Sequence, residues 1–215
     1  SSVRKSLILS FFSVISFILS QNLWYVHFIF SGSKKHVMEE MFTSAKRPFY
    51  QSTQIIVLTE IPLENYYSFA HSFFAKEKRE LTLETFSYLY QLENGHTWYV
   101  QSILNRLYEK KINPIDNRLV DRCINDILDE QETIYQSNLT LLTNNQVDLL
   151  KAIATEGCIK NINANDFIKK HHLKTPSSVN VALKSLLNKE LIYNTPDGYI
   201  VYDRFFGKWL KDAVI

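Results

Sequence analysis

Glycine is scarce, with five in 215 residues, which argues against a fold built from many tight β-turns and favours helices. Cysteine is almost absent: Cys123 and Cys158 lie far apart among apolar neighbours and read as two reduced, buried thiols of a cytosolic protein rather than a disulfide. No Cys/His spacing suggests a metal site, and the adjacent pair His171 and His172 would point in different directions on a helix. Neither sign of charge is in excess. A formal net charge of +2 predicts neither nucleic-acid nor membrane binding, so any such site must be a local patch. Long hydrophobic runs are also lacking. Leu7–Leu19 after Arg4-Lys5 has the charged start and apolar centre of a signal peptide, but Ser10, Ser13 and Ser16 interrupt it, and it is short for a membrane span. Gln21, Asn22 and His27 break any longer span. The expectation is a cytoplasmic protein without membrane insertion, with residues 1–26 an atypical apolar segment. The first residue is Ser1, not Met, which reads as a fragment or a processed form.

What is present begins with two short apolar runs. Phe28-Ile29-Phe30 stops at Ser31-Gly32-Ser33, and Ile55–Leu58 is closed by Ile61-Pro62. Each reads as a buried parallel strand, and in open α/β sheets ligands gather beyond the carboxyl ends of such strands. Lys34–Phe42 between them has the look of a short amphipathic helix, ended by Arg47-Pro48.

From Leu63 onward helices take over. Asn65–Lys76 places Tyr66, Phe69, Phe73 and Phe74 at helical spacing, and Thr82 caps a helix to Glu93 that Asn94-Gly95 terminates. A stripe from Val100 to Tyr108 and another from Val120 to Leu128, capped by Asp116, complete a small bundle. Thr143 then opens a helix that Gly157 ends, a short helix covers Ala164–His171, and Thr175-Pro176 starts another that buries Val179, Ala182, Leu183, Leu186 and Leu187. Asp197-Gly198 between Leu191-Ile192-Tyr193 and Tyr199–Tyr202 is a hairpin signal. Three helices, a hairpin and a last turn over Phe205–Leu210 predict a winged helix-turn-helix.

These parts in this order resemble the C-terminal part of a P-loop ATPase of the archaeal-type family, related to AAA+ and signal-transduction ATPases. The resemblance rests on Phe28–Ser33, Met41-Phe42, Arg47–Tyr50, Ile55–Leu58, Asn94-Gly95-His96 with Tyr99-Val100-Gln101, and the winged-helix stretches Gln146–Ala154, Phe167–Leu173, Ser177–Leu187 and Tyr199–Trp209. It implies a mostly α fold with some β: a remnant of a parallel α/β P-loop ATPase core at 27–62, a helical lid at 63–137 and a C-terminal winged helix at 138–215. It also implies that Ser33, with Gly32 allowing close approach, senses the γ-phosphate. Arg47 either faces a phosphate or sits on a solvated turn. Gly95 and His96 stand at a lid turn near the adenine in related ATPases, or Gly95 is simply a helix terminator. Here Thr97 replaces the family's proline.

The intact parent would bind ATP and magnesium. This sequence has no G-x-x-x-x-G-K-[ST], and Ser1–Trp24 contains neither Asp nor Glu, so the phosphate cradle and the magnesium-holding acids are missing. The chain is therefore not expected to hydrolyse ATP or to bind it tightly, and its first partner is an N-terminal ATPase half. A rival function is DNA binding, or protein binding, through the winged helix. Ser177, Asn180, Lys184 and Asn188 share the outward face of its recognition helix, with Lys169, Lys170, His171 and Lys174 before it. Asp166, Glu190 and Asp197 dilute that patch. A third reading, a membrane tether through Leu7–Leu19, ranks last.

Overall fold

A computed structural model describes residues 29–30, 42, 54–56 and 58–212. The chain divides into two compact units, Ser1–Thr59 and Glu60–Ile215. In the first, Phe42 is helical and buried, with its ring 5.3 Å from that of Phe30. Ile29 and Phe30, and Ile55, Ile56 and Leu58, carry no regular structure, and all of these except Phe30 are exposed. The expectation of a strand over Ile55–Leu58 is thus not met by its described residues. A strand exists through the hydrogen bonds of a neighbour, and among the described residues no strand pairs with Ile55, Ile56 or Leu58. The readings placed on residues 1–26, on Gly32 and Ser33, and on Arg47–Tyr50 fall outside the described residues.

The second unit opens with four helices: α1 (Leu63–Lys76), α2 (Leu83–Leu92), α3 (Thr97–Lys110) and α4 (Asn117–Thr140). Thr82 accepts from the Thr85 amide at 3.2 Å to start α2, and Asp116 accepts from the Leu119 amide at 2.8 Å to start α4. On α1 the buried stripe is Tyr66, Ala70 and Phe74. Phe69 and Phe73, expected to share the inward stripe, are exposed instead and pack on each other at 5.0 Å. A helix with aromatics at 66, 69, 73 and 74 offers two overlapping stripes, and only one can face the core.

The C-terminal end of α3 is closed from a distance. The buried guanidinium of Arg79, in the α1–α2 connection, donates to the carbonyls of Leu107 (2.8 Å), Tyr108 (3.0 Å) and Ile112 (2.7 Å). A cation there satisfies orphan carbonyls and complements the helix dipole.

The remainder is a winged helix. It comprises α5 (Asn144–Glu156), α6 (Asn165–Lys170), α7 (Pro176–Asn188), the antiparallel strands β1 (Ile192–Thr195) and β2 (Gly198–Val201), and α8 (Arg204–Asp212). Thr143 with Gln146, and Thr175 with Ser178, form capping boxes at α5 and α7, where Pro176 takes the first helical position. The hairpin pairs Thr195 with Gly198 across Pro196-Asp197, and Ile159 bridges to Tyr199 on the other side of β2. Gly198 has φ +141°, and a Cβ there would lie 2.5 Å from the Ile159 carbonyl oxygen, so no other residue fits.

One apolar core runs through both parts. The 24-residue α4 spans about 36 Å at ~1.5 Å per residue and serves both. Its Val120, Cys123, Ile124, Ile127 and Leu128 are buried in the first half, while Tyr135 lies 4.9 Å from Phe206 and 5.6 Å from Trp209 of α8. Residue 138 therefore lies inside a continuous helix. Cys123 is buried as expected, but Cys158 is exposed, because it follows Gly157 in the loop that leaves α5. No helix among the described residues is long and apolar enough to cross a membrane.

Gly95 ends the α2 turn at φ +69°, and a Cβ on it would meet the Tyr90 ring at 2.5 Å, whereas Gly157 at φ +76° has open space around it. Gly95→Ala should destabilise the protein by about 2–3 kcal/mol and Gly157→Ala by about 1 kcal/mol. Urea denaturation of the two variants measures the difference.

Candidate functional site

The winged helix presents one polar face. Burial of Val179, Ala182, Leu183 and Leu186 turns the positions between them outward, so Ser177, Asn180, Val181 and Lys184 share an exposed side of α7. Lys174 lies just ahead, beside a recess of about 570 Å³ lined also by Lys169, His172 and Thr175. Two of the predicted contact residues are already engaged. Asn180 Oδ1 accepts from Asn163 Nδ2 at 3.1 Å, and Lys170 Nζ sits 2.7 Å from Glu156 Oε1 at the end of α5. That same oxygen is 2.6 Å from His171 Nε2, and the hydrogen bonds from Lys170 and His171 hold the Glu156 carboxyl below its usual range. Lys174, Ser177, Asn180 and Lys184 thus come together on one exposed side, while Lys170 is held at Glu156. Val181, 68 % exposed at the centre of this face, adds an apolar member that its i+4 spacing from Ser177 marks in the sequence.

A second cluster, which no sequence pattern marked, joins α8 to the helical bundle. Asp203 caps α8 by accepting from the amides of Phe205 (2.9 Å) and Phe206 (3.2 Å). Tyr99 of α3 donates its hydroxyl to Asp203 Oδ1 at 3.4 Å and accepts from the Arg204 amide at 3.0 Å. The Arg204 guanidinium donates to the Glu93 carbonyl at 2.7 Å, and Lys208 Nζ reaches the Leu92 carbonyl at 3.4 Å. Both cations therefore close the C-terminal end of α2, where negative dipole and orphan carbonyls meet. Apolar contact seals the rest: Phe205 stands edge-on to Tyr99 at 4.9 Å, with Trp98 at 6.0 Å. Burial lifts the Tyr99 phenol to about 12, and it raises that of Tyr135 with help from Asp203.

At the middle of this seam sits Glu93, the residue that follows α2, with no exposed surface. Lys208 Nζ is 3.3 Å from its Oε1, close enough for attraction, yet neither carboxylate oxygen completes a hydrogen bond. Burial pushes the Glu93 carboxyl up, against the pull of Lys208 and Arg204. Such a group is costly, because a buried carboxylate needs hydrogen bonds as well as a counter-charge.

Of the nucleotide-proximal candidates, Gly32, Ser33 and Arg47 lie outside the described residues. Gly95 is buried, with the Tyr90 ring over its Cα, and Tyr90 donates to the Ile61 carbonyl at 3.0 Å. His96 immediately precedes α3 and is exposed, its ring 4.9 Å from that of Tyr99. Partial burial and the nearby Arg204 hold its pKa below the ordinary histidine value. Among the described residues no group of three His, Cys, Asp or Glu is placed to hold a metal ion.

Residues 133–212 match the model of a family described as "Probable winged helix domain", in agreement with the arrangement of α5, α6, α7, β1 and β2. The fold is similar to that of a Walker-type ATPase of Pyrococcus abyssi, at 16 % sequence identity and a TM-score of 0.54, over 79 % of this chain and 47 % of that one. The chain therefore spans less than half of that protein's length. At this identity the likeness is one of fold. No curated protein matches the chain. A mostly helical protein with a C-terminal winged helix, built like part of a Walker-type ATPase, is the class these observations define.

Arg204→Met should destabilise the chain by about 1.5–3 kcal/mol, the range for a hydrogen bond to a charged group, and Tyr99→Phe by about 1 kcal/mol. Because Tyr99 holds the backbone from which Arg204 projects, the double variant should fall short of the sum by about 0.5 kcal/mol or more. Urea denaturation of the four-member cycle reads this out.

Proposed function

We propose that this chain is the C-terminal part of an archaeal-type ATP-binding ATPase, in which α1–α4 form the lid and the winged helix responds to nucleotide state. The observation that carries the reading is the bond from Arg204 to the Glu93 carbonyl, which links positions 111 residues apart and ties α8 to the end of α2. With Tyr99 and Asp203 it makes the winged helix follow the lid. The order of parts and the fold likeness to a Walker-type ATPase support the same reading.

The intact protein would hold ATP and magnesium in the portion that carries the phosphate loop and acidic strand. This chain has neither motif, and its described residues do not build a metal site. No hydrolytic step is assigned to it. Gly32, Ser33 and Arg47 would act as sensors once that half is supplied, in a cytoplasmic protein. A fluorescent ATP analogue should show no saturable binding to this chain and should bind when a P-loop-bearing N-terminal half is added. Tight binding by the chain alone would overturn the proposal.

A second reading, DNA contact by the winged helix, rests on the exposed face of Ser177, Asn180 and Lys184 with Lys174 and Lys169 nearby. Phosphate contacts make such binding salt-dependent. On a duplex, Lys174→Ala with Lys184→Ala should lower affinity and reduce the salt slope by about two. Glu156→Gln, which releases Lys170, should raise affinity. Absence of salt-dependent retention at low salt would leave this face to a protein partner.

A further inference from the structure

The seam between α2 and α8 is closed around a side chain that the closed arrangement does not satisfy. Glu93 is wholly buried and both of its carboxylate oxygens lack hydrogen bonds. Its counter-charges both come from the far side, Lys208 at 3.3 Å and Arg204, whose guanidinium donates to the Glu93 main-chain carbonyl. We propose that Glu93 gates the docking of the winged helix on the helical bundle: with the carboxyl protonated the seam is closed, and its ionisation releases α8 and frees the winged helix. The proposal concerns this chain alone and stands whether or not nucleotide is sensed across the seam.

Three features make this a latch rather than a fixed joint. The main-chain bonds of the closed seam do not need the Glu93 charge, since Arg204 and Lys208 donate there to the backbone carbonyls of Glu93 and Leu92. A neutral carboxyl is also cheaper than an anion to keep in a dry, under-bonded place. Finally, Lys208 lines a recess of about 290 Å³ beside Asp121 and Lys211, so its ammonium has water and a carboxylate to turn to when the seam opens. The other ionisable groups around the seam are His96 and Tyr99 on the α3 side, Asp203 ahead of α8, and Tyr135 of α4. Asp203 is engaged by Tyr99 and by the α8 amides.

Burial raises the Glu93 carboxyl in the closed state, so closure binds a proton more readily than the open state does. Its contribution is complete below the free carboxyl value, about 4.3, and is lost as pH climbs through the raised value of the closed state.

Amide hydrogen exchange of α8, corrected for its intrinsic pH dependence, measures opening, with α5 and α7 as internal controls. Protection of α8 should fall as pH rises, by about tenfold for each unit separating the two carboxyl values, while α5 and α7 stay unchanged. Glu93→Gln, neutral and of the same shape, should abolish the pH dependence and match or exceed the wild-type protection at high pH. Lys208→Met should speed α8 exchange at high pH in the wild-type background but much less in Glu93→Gln. If Glu93→Gln does not fold, the wild-type profile and Lys208→Met decide the matter. A flat or rising wild-type profile overturns the proposal, as does faster α8 exchange in Glu93→Gln or an equal effect of Lys208→Met in both backgrounds.

Discussion

Helix ends that cannot finish themselves are closed here by cations from distant parts of the chain. An α-helix leaves its last carbonyls without partners, and the two helices that meet the rest of the bundle at their C-terminal ends both solve this remotely. Arg79 closes α3 from the α1–α2 connection, and Arg204 with Lys208 closes α2 from beyond the hairpin. The apolar core brings these segments near one another, but hydrophobic contact is non-directional. The guanidinium donors and the carbonyls they meet add direction to that contact, because a planar fork bonds only where acceptors lie along its N–H groups.

These closures also separate what was legible in the sequence from what was not. Thr82, Asp116, Thr143 and Thr175 announce their helices within four residues, and Pro196-Asp197-Gly198 announces the hairpin. Such signals are local, and the structure honours them. Arg79 acts on residues 28 to 33 positions away, and Arg204 on one 111 positions away; nothing near either residue marks it. In sequence Glu93 is simply the end of a helix; in the structure it is the most buried acid of the seam. Phe69 and Phe73 illustrate a different limit, since a helix with aromatics on two overlapping stripes does not say which one faces inward. The apolar run Ile55–Leu58 reads as a strand only if a sheet is there to receive it.

The candidate contact face of the winged helix shows how position and availability differ. Periodicity correctly set Ser177, Asn180 and Lys184 on the outer side of α7. It carried no information on Asn163 and Glu156, which lie in other segments and engage Asn180 and Lys170. A polar residue on an exposed face is a candidate donor to a partner only to the extent that its own neighbours leave it free. Here that condition favours the N-terminal end of α7, with Lys174 and Ser177, and the middle at Lys184.

The unbroken course of α4 has a mechanical consequence. A rod of about 36 Å embedded at one end in the bundle and at the other against Phe206 and Trp209 acts as a lever. A tilt of about 10° at its N-terminal end would carry its far end through about 6 Å, more than a full helical turn's rise of ~5.4 Å. Small rotations among the first four helices thus become displacements on the scale of a whole side-chain contact at the winged helix. No hinge is needed along the way. The shaft also argues against dividing this protein at the edge of its winged helix, since the cut would fall inside the element that couples the two parts.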